Sequence, residues 1–115
     1  MAEDLIITVV NDDDSKYKFE GFYCFTISDQ NEGNIAETRF FNPIIGIYED
    51  PATGTAAGPL IGFLTKKKYT KPNQEYKILQ GVKLNHPSII EVMNRENDIL
   101  VGGSSIITMK GELYM

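Results

Sequence analysis

Short apolar runs separated by polar turn segments recur along the chain, and this pattern predicts a protein built mainly of β-strands. The predicted strands are residues 5–10, 19–28, 36–41, 44–49, 75–81, 88–94, 98–103 and 105–114. Residues 19–28 have apolar side chains at both parities, which indicates a strand covered on both faces. Residues 36–41 alternate and follow a turn in which Gly33 can take a positive φ, so we expect a hairpin between these two strands.

One segment departs from the strand pattern and predicts a single principal helix over residues 55–68. No residue within 52–65 is charged, and the apolar residues fall on several sides, which is typical of a buried helix. Gly54, Gly58 and Gly62 recur every four residues and would form a smooth ridge that a strand can approach closely. One buried helix among many strands predicts an α+β fold, in which a curved mixed sheet, a roll or barrel, wraps around the central helix.

Length, charge and cysteine count narrow the class of protein. A chain of 115 residues is one domain by length. With 11 basic and 16 acidic side chains the formal net charge is -5, which argues against nucleic acid as a partner. The sequence has no apolar run long enough to span a membrane and no secretory leader, so we expect no membrane partner. Because Cys24 is the single cysteine, a reducing compartment fits best, and the cytoplasm is the expected location.

Residues 49–59, EDPATGTAAGP, place two carboxylates and a proline directly before the start of the helix. The first N–H groups of a helix lack intrahelical partners and carry partial positive charge. The small residues Gly54, Thr55, Ala56 and Ala57 leave those N–H groups uncovered, so the segment predicts a binding site for a carboxylate or phosphate. The alternative is ordinary capping, in which the acidic residues complement the helix dipole and the Thr55 hydroxyl caps the helix.

The same stretch, extended to EDPATGTAAGPL at residues 49–60, resembles the signature of the PhzF-type isomerases of phenazine biosynthesis. The other matching pieces, in chain order, are RFFNP (39–43), QG (80–81), PSIIEV (87–92) and VGGSSIITMKGEL (101–113). PhzF-like proteins resemble diaminopimelate epimerase, which has two lobes, each a curved sheet around a central helix, with the active site between them. The resemblance implies that residues 1–115 are a single domain equivalent to the C-terminal lobe, and that the N-terminal lobe with its catalytic glutamate has no counterpart here.

The resemblance also implies a chemistry. Family enzymes move a proton on a small carboxylated substrate without a cofactor or metal, and the type reaction is isomerisation of a dihydro-hydroxyanthranilate. By motif, Asp50 is the expected catalytic residue, which hydrogen-bonds the substrate or relays a proton. Gly54, Thr55 and Ala56 are the expected substrate-binding residues, through their backbone N–H groups. Thr55 stands where the family usually has serine.

Three residues bear on the neighbouring chemistries. Related epimerases have a cysteine base at the start of this helix, and the corresponding position here is Thr53. Cys24 lies in a strand and is expected to be a buried core thiol, so a cysteine-based racemase is disfavoured. His86, the one histidine of the sequence, stands beside Pro87 in a loop and is expected to be a surface residue.

Several hypotheses about function stay open. The chain is expected to work with a second lobe, supplied either by a separate chain or by a second copy in a homodimer. The alternative is a non-catalytic domain that binds small anions or a protein partner and has lost the chemistry. A third possibility is a truncated reading frame without a selected function, which would expose a large apolar surface.

Overall fold

The computed structural model describes residues 5–10, 21–28 and 33–115. Seven strands in these ranges form one sheet. They are β1 (Leu5–Val10), β2 (Gly21–Ile27), β3 (Ala36–Asn42), β4 (Ile47–Asp50), β5 (Glu75–Gln80), β6 (Ser88–Asn94) and β7 (Ile99–Gly102). The α-helix of the described part is α1 (Gly54–Lys66), and short 3-10 turns lie at Pro43–Ile45 and Val82–Leu84. The predicted loop at 11–18 and most of the turn at 29–34 lie outside the described residues.

The sheet is mixed, and its strand order is β1-β2-β3-β5-β6-β7, with β4 attached to β3 beside this path. Neighbours pair in antiparallel fashion except β3 and β5, which are parallel. The predicted hairpin is confirmed, since β2 and β3 pair with Tyr23 opposite Phe40. The positive φ predicted for Gly33 is confirmed as well, at 81°. The molecule is therefore an α+β protein with a mixed sheet and one helix in the described part.

The hydrophobic core lies between one face of this sheet and α1. The sheet contributes Tyr23, Phe25, Ala36, Phe40, Ile78, Ile90 and Val92, and the helix contributes Ala56, Ala57, Leu60, Ile61 and Leu64. The prediction that β2 is covered on both faces is wrong, because its buried positions alternate with positions such as Phe22, which is 41% exposed. The reason is that α1, the helix of the described part, packs against the face that carries Tyr23 and Phe25.

The glycine ridge predicted for the helix is confirmed. A Cβ atom added at Gly54, Gly58 or Gly62 would lie 3.5, 3.4 or 3.3 Å from side-chain atoms of β7 residues Val101 or Ile99. Because a glycine every four residues keeps this side of the helix smooth, β7 packs close against α1.

The helix is not buried on all sides, although its sequence is apolar nearly all round. Its first residues Gly54 and Thr55 and the later Pro59 are exposed. The sheet of the described residues therefore covers α1 on one side and leaves its start accessible. No helix of this part of the chain has both the length and the apolarity to cross a bilayer.

Two predicted strands differ from the structure. Residues 44–49 are not one strand, because Pro43 begins a 3-10 turn and Gly46, at φ 84°, reverses the chain before β4. Residues 105–114 form no strand at all, and their large apolar side chains, including Ile106 and Leu113, are at least 77% exposed. A strand requires a neighbouring strand for its backbone hydrogen bonds, and this segment pairs with none of the described strands.

Candidate functional site

The site is assembled where β4 and β5 end against the same stretch of β3. The first half of β3 pairs with β5, which places Thr38 opposite Gln80. The second half pairs with β4, which places Phe40 opposite Asp50. Because β5 is parallel to β3 and β4 is antiparallel to it, the carboxyl ends of β4 and β5 converge beside the middle of β3. Asp50 and Gln80, 30 positions apart in sequence, are thereby brought together.

Gln80 is the buried centre of this junction, with a fully buried side chain. Its Nε2 group donates to the backbone oxygen of Asp50 at 2.8 Å and to the hydroxyl of Thr53 at 3.0 Å. Its Oε1 atom accepts from the backbone N–H of Thr53 at 3.2 Å. The Thr38 hydroxyl lies between the Leu79 carbonyl at 3.2 Å and Gln80 Oε1 at 3.5 Å. A buried amide with bonded donors and acceptors holds the connection between β4 and α1 in one conformation.

Thr53 links this amide to the candidate acid. Its hydroxyl donates to Oδ2 of Asp50 at 2.6 Å. Thr53 is also the N-cap residue of α1, but it makes no side-chain capping bond, because its hydroxyl is already engaged. The capping alternative for Thr55 is therefore wrong, since Thr55 lies inside the first turn.

The predicted substrate-binding residues fall into two groups at the start of α1. Gly54 and Thr55 are exposed, and no hydrogen bond within the described part of the chain uses their N–H groups. Ala56 is buried, and its N–H donates to the Thr53 carbonyl at 3.3 Å; the N–H of Ala57 donates to the same oxygen at 3.2 Å. The first two amides are accordingly available to an anion, while the next two are engaged.

The sequence of this chain matches a known protein family. The family described as phenazine biosynthesis-like protein matches residues 2–111. The chain belongs to this family. The resemblance inferred from the signature at residues 49–60 is thus confirmed over nearly the whole sequence.

Three curated relatives of this phenazine biosynthesis-like chain are isomerases by name. An uncharacterized isomerase of Clostridium acetobutylicum is 32% identical over 106 residues, which are 85% of this chain and 35% of that protein. The trans-2,3-dihydro-3-hydroxyanthranilate isomerase of Pseudomonas aeruginosa is 34% identical over 83 residues, which are 68% of this chain and 30% of that protein. The isomerase of the same name in Pseudomonas chlororaphis is 43% identical over 53 residues, 46% of this chain and 19% of that protein. The chain spans about a third or less of the length of these relatives.

The neighbouring acid of the EDP motif, Glu49, points away from the site. Glu49 lies on the outer face of the sheet, where its Oε1 accepts from Arg39 Nη2 at 2.6 Å and Nε at 3.2 Å. Its side chain is 2% exposed, and its second oxygen has no partner among the described residues. The Arg39 guanidinium also lies 4.9 Å from the ring centre of Phe41. The two adjacent carboxylates of the motif thus face opposite sides of the sheet.

The prediction of a core thiol at Cys24 is wrong. Cys24 is opposite Arg39 in the register of β2 and β3, on the outer face, and it is half-buried. Partial burial raises the pKa of its thiol, and the positive charge of Arg39 acts in the opposite direction. A raised pKa leaves little thiolate near neutral pH, which makes Cys24 a poor nucleophile.

The turn after β5 packs against the connection between β4 and α1. Gly81 takes φ 86°, and a Cβ atom there would lie 2.8 Å from the carbonyl oxygen of Pro51 and would overlap that of His86. The QG pair therefore has a structural reason: Gln80 binds the β4–α1 connection, and Gly81 lets the next turn pack against it. His86 is exposed, which confirms its prediction as a surface residue.

A concavity of the described surface lies away from this site. It has a volume of about 530 Å³ and lies near the opposite end of α1, where Lys68–Lys71 meets Gly33–Ile35 and Gln74–Lys77. Asp50, Gly54 and Thr55 do not line it. At the other end of α1, Gly54 and Thr55 are exposed.

Proposed function

We propose that this chain provides one half of a cofactor-independent isomerase site that moves a proton on a small carboxylate-bearing metabolite. The observation that carries the proposal is the start of α1. There the N–H groups of Gly54 and Thr55, which make no hydrogen bond within the described residues, directly follow Thr53 and its hydrogen-bonded partner Asp50. Membership of the family and the isomerase names of these relatives also support the proposed isomerase function.

The N–H groups of Gly54 and Thr55 provide the binding part of this proposal. They form the positive end of a 13-residue helix, where a carboxylate is favoured both by direct hydrogen bonds and by the helix dipole. Gly54 has no side chain to cover them. The substrate class that fits is a small organic acid, and trans-2,3-dihydro-3-hydroxyanthranilate, named for the Pseudomonas relatives, is the first candidate.

Asp50 provides the proton-transfer part. Thr53 occupies one of its carboxylate oxygens, and no hydrogen bond among the described residues uses the other. A carboxylate that is held at one oxygen and free at the second is suited to accept a proton from, or to hydrogen-bond, a substrate anchored nearby.

A second lobe completes the site in this proposal, in the manner of a diaminopimelate epimerase-like fold. The start of α1 is open to solvent, and a cover would exclude the water that competes for its N–H groups. Large apolar side chains are exposed at Ile44 and Ile45 before β4, at Tyr48 within β4, and along β7. Exposed apolar surface of this kind favours a protein partner. The cover is either a separate lobe or a second copy in a homodimer, and the proposed compartment is the cytoplasm.

The test of this function is turnover of trans-2,3-dihydro-3-hydroxyanthranilate, followed by ultraviolet absorbance, with the chain purified together with any partner that binds it. We expect isomerisation by the assembled protein and a loss of about 100-fold or more in Asp50→Asn, the range for removal of a general acid–base group. Glu49→Gln is the matched control, because this neighbour faces the other side of the sheet. An active Asp50→Asn variant would contradict the proposed role.

One observation favours a second candidate function, a non-catalytic domain that binds small anions or a partner. Among the described residues, no hydrogen bond joins a second carboxylate to Asp50, Thr53 or Gln80. Proton transfer between two carbon atoms generally uses a second group or a movable base. A binder would show saturable anion binding without turnover in any assembly state, and Asp50→Asn would change only its affinity.

A further inference from the structure

The amide group of Gln80 can adopt just one orientation in this fold. Its Oε1 atom faces the backbone N–H of Thr53, which is only a donor, and its Nε2 atom faces the backbone oxygen of Asp50, which is only an acceptor. A rotated amide would place two donors together at one end and two acceptors at the other. The surrounding backbone therefore fixes the donor side of Gln80.

This orientation also fixes the direction of the Thr53 hydroxyl. The second proton on Gln80 Nε2 points to Thr53 Oγ1 at 3.0 Å, so the hydroxyl oxygen accepts a hydrogen bond. A hydroxyl has a single proton, and the remaining neighbour is Asp50 Oδ2 at 2.6 Å. The proton of Thr53 is thus directed at Asp50, and Oδ2 of Asp50 acts as an acceptor.

We propose that Gln80 is a positioning residue for Asp50: through the fixed donor on its amide it directs the Thr53 hydroxyl to one carboxylate oxygen and leaves the other oxygen to the substrate. Gln80 acts at two points, because it also holds the backbone at Asp50 and at Thr53. The proposal rests on the proposed function of Asp50. It adds that the polarity of the side chain at position 80, and not merely its volume, sets the geometry of the acid.

Gln80→Glu tests this polarity directly, since it keeps the shape and replaces the donor by a carboxylate. When it is ionised, the introduced carboxylate is an acceptor, so the Thr53 hydroxyl turns toward it and leaves Asp50. Burial raises the pKa of such a carboxyl, and on acidification its protonated form donates again as the amide does. We expect the hydroxyl proton of Thr53, observed by NMR in labelled protein, to show its contact with Asp50 in the wild type. In Gln80→Glu this contact is lost at a pH where the introduced carboxyl is ionised and returns on acidification.

Gln80→Met is the control for volume, because it fills similar space without polar atoms. It leaves the Thr53 N–H and the Asp50 carbonyl without their partner, so we expect amide hydrogen exchange at Thr53 to rise about tenfold or more. A space-filling role predicts wild-type exchange in this variant, and that result would overturn the proposal. An unchanged Thr53–Asp50 contact in Gln80→Glu at a pH where the introduced carboxyl is ionised would overturn it too.

A milder pair of variants keeps the test decisive if changes at the buried Gln80 prevent folding. Thr53→Ser retains the hydroxyl and should keep the contact with Asp50, whereas Thr53→Val lacks it. In Thr53→Ser we expect the hydroxyl proton to point to Asp50 as in the wild type; a serine proton that points to Gln80 would contradict the fixed amide orientation. None of these readouts uses a ligand. A wild type with the expected hydroxyl contact but no isomerase activity would therefore count against the proposed function and in favour of the role of Gln80.

Discussion

The hydroxyl of Thr53 donates a 2.6 Å hydrogen bond to Oδ2 of Asp50, three residues earlier in the chain. This contact closes the connection between β4 and α1 into a tight turn and fixes the carboxylate beside the start of the helix. Thr53 gives up ordinary helix capping to make it, since its side chain bonds none of the N–H groups of the first turn. The sequence Asp-Pro-Ala-Thr-Gly thus serves the placement of an acid and not only the beginning of a helix.

The first prediction concerns the stability that this contact supplies. Thr53→Val keeps the shape of the buried side chain, removes the bond to Asp50, and leaves one Gln80 donor without its acceptor. We expect the free energy of unfolding to fall by about 1.5–3 kcal/mol, the range for hydrogen bonds to charged groups. Urea denaturation measures it. Thr53→Ser is the control and should lose less than half as much; equal losses in the two variants would mean that the hydroxyl contributes nothing.

The second prediction concerns Tyr23 and alkaline pH. Burial raises the pKa of Tyr23 to about 12, from an ordinary value of 10.0. The folded state therefore keeps the phenol proton at a pH where the unfolded chain releases it. Stability is fully present below pH 10 and is lost as the pH rises through 12, by about 2–3 kcal/mol for a shift of this size. The Tyr23 hydroxyl has no hydrogen-bond partner by geometry among the described residues, so the nearby Thr38 hydroxyl offsets little of this effect.

Tyr23→Phe is the matched variant for this alkaline effect. It removes the titrating group and leaves the ring in the core, where it packs against Phe40 with ring centres 6.2 Å apart. We expect the difference in unfolding free energy between the wild type and this variant to move in favour of the variant between pH 9 and pH 11. Parallel curves over this range would show that Tyr23 titrates normally.

The third prediction separates the strain of a positive φ from the steric cost of a Cβ atom. Gly46 and Gly81 have φ of 84° and 86°, so alanine at either position meets the same backbone strain, about 1 kcal/mol. Open space surrounds a Cβ at Gly46, but at Gly81 it would collide with backbone atoms of Pro51 and His86. We expect Gly81→Ala to destabilise the protein by at least about 2 kcal/mol more than Gly46→Ala, since backbone atoms have to move. Thermal unfolding of the two variants measures this difference. Similar losses of stability in both would show that the turn at Gly81 is not closely packed against the site.

The fourth prediction is a stabilising change at the other end of α1. The helix ends in a Schellman motif, in which the N–H of Tyr69 bonds the carbonyl of Leu64 and Lys68 takes φ 65°. Lysine is strained in this left-handed conformation, whereas glycine is not. Lys68→Gly should raise the free energy of unfolding by about 0.5–1 kcal/mol. Lys67→Gly is the control, at φ -84°, and should be destabilising; a stabilising Lys67→Gly would indicate a charge effect instead.

The local elements of this fold can be predicted from the sequence, whereas the pairing and layering of these elements cannot. Alternation of apolar residues predicts β6 with its observed bounds, 88–94, and the glycine spacing predicts the side of α1 that meets β7. The same signal fails for residues 105–114, because an apolar pattern does not reveal whether a neighbouring strand is present. The prediction that both faces of β2 are buried fails for the same reason. It requires a second layer on the face opposite α1, and the described residues do not provide one.

The candidate site shows the same division. Asp50, Gly54 and Thr55 stand together in one motif, so a local signal suffices to propose them. Gln80 lies 27 residues from Thr53, and their contact follows from the register of β4 and β5 on β3, which no single stretch of sequence encodes. The signal that was available is the QG pair, which belongs to the family resemblance but suggests no role on its own.

The most direct test of the central claim, that the start of α1 binds a small carboxylate, is a titration of the 15N-labelled chain with benzoate followed by NMR. We predict saturable shifts of the N–H signals of Gly54 and Thr55, with those of Ala57 and the Lys68–Lys71 segment little affected. Saturable shifts confined to the lysine-lined concavity at the far end of the helix, or none at Gly54 and Thr55, would contradict the account.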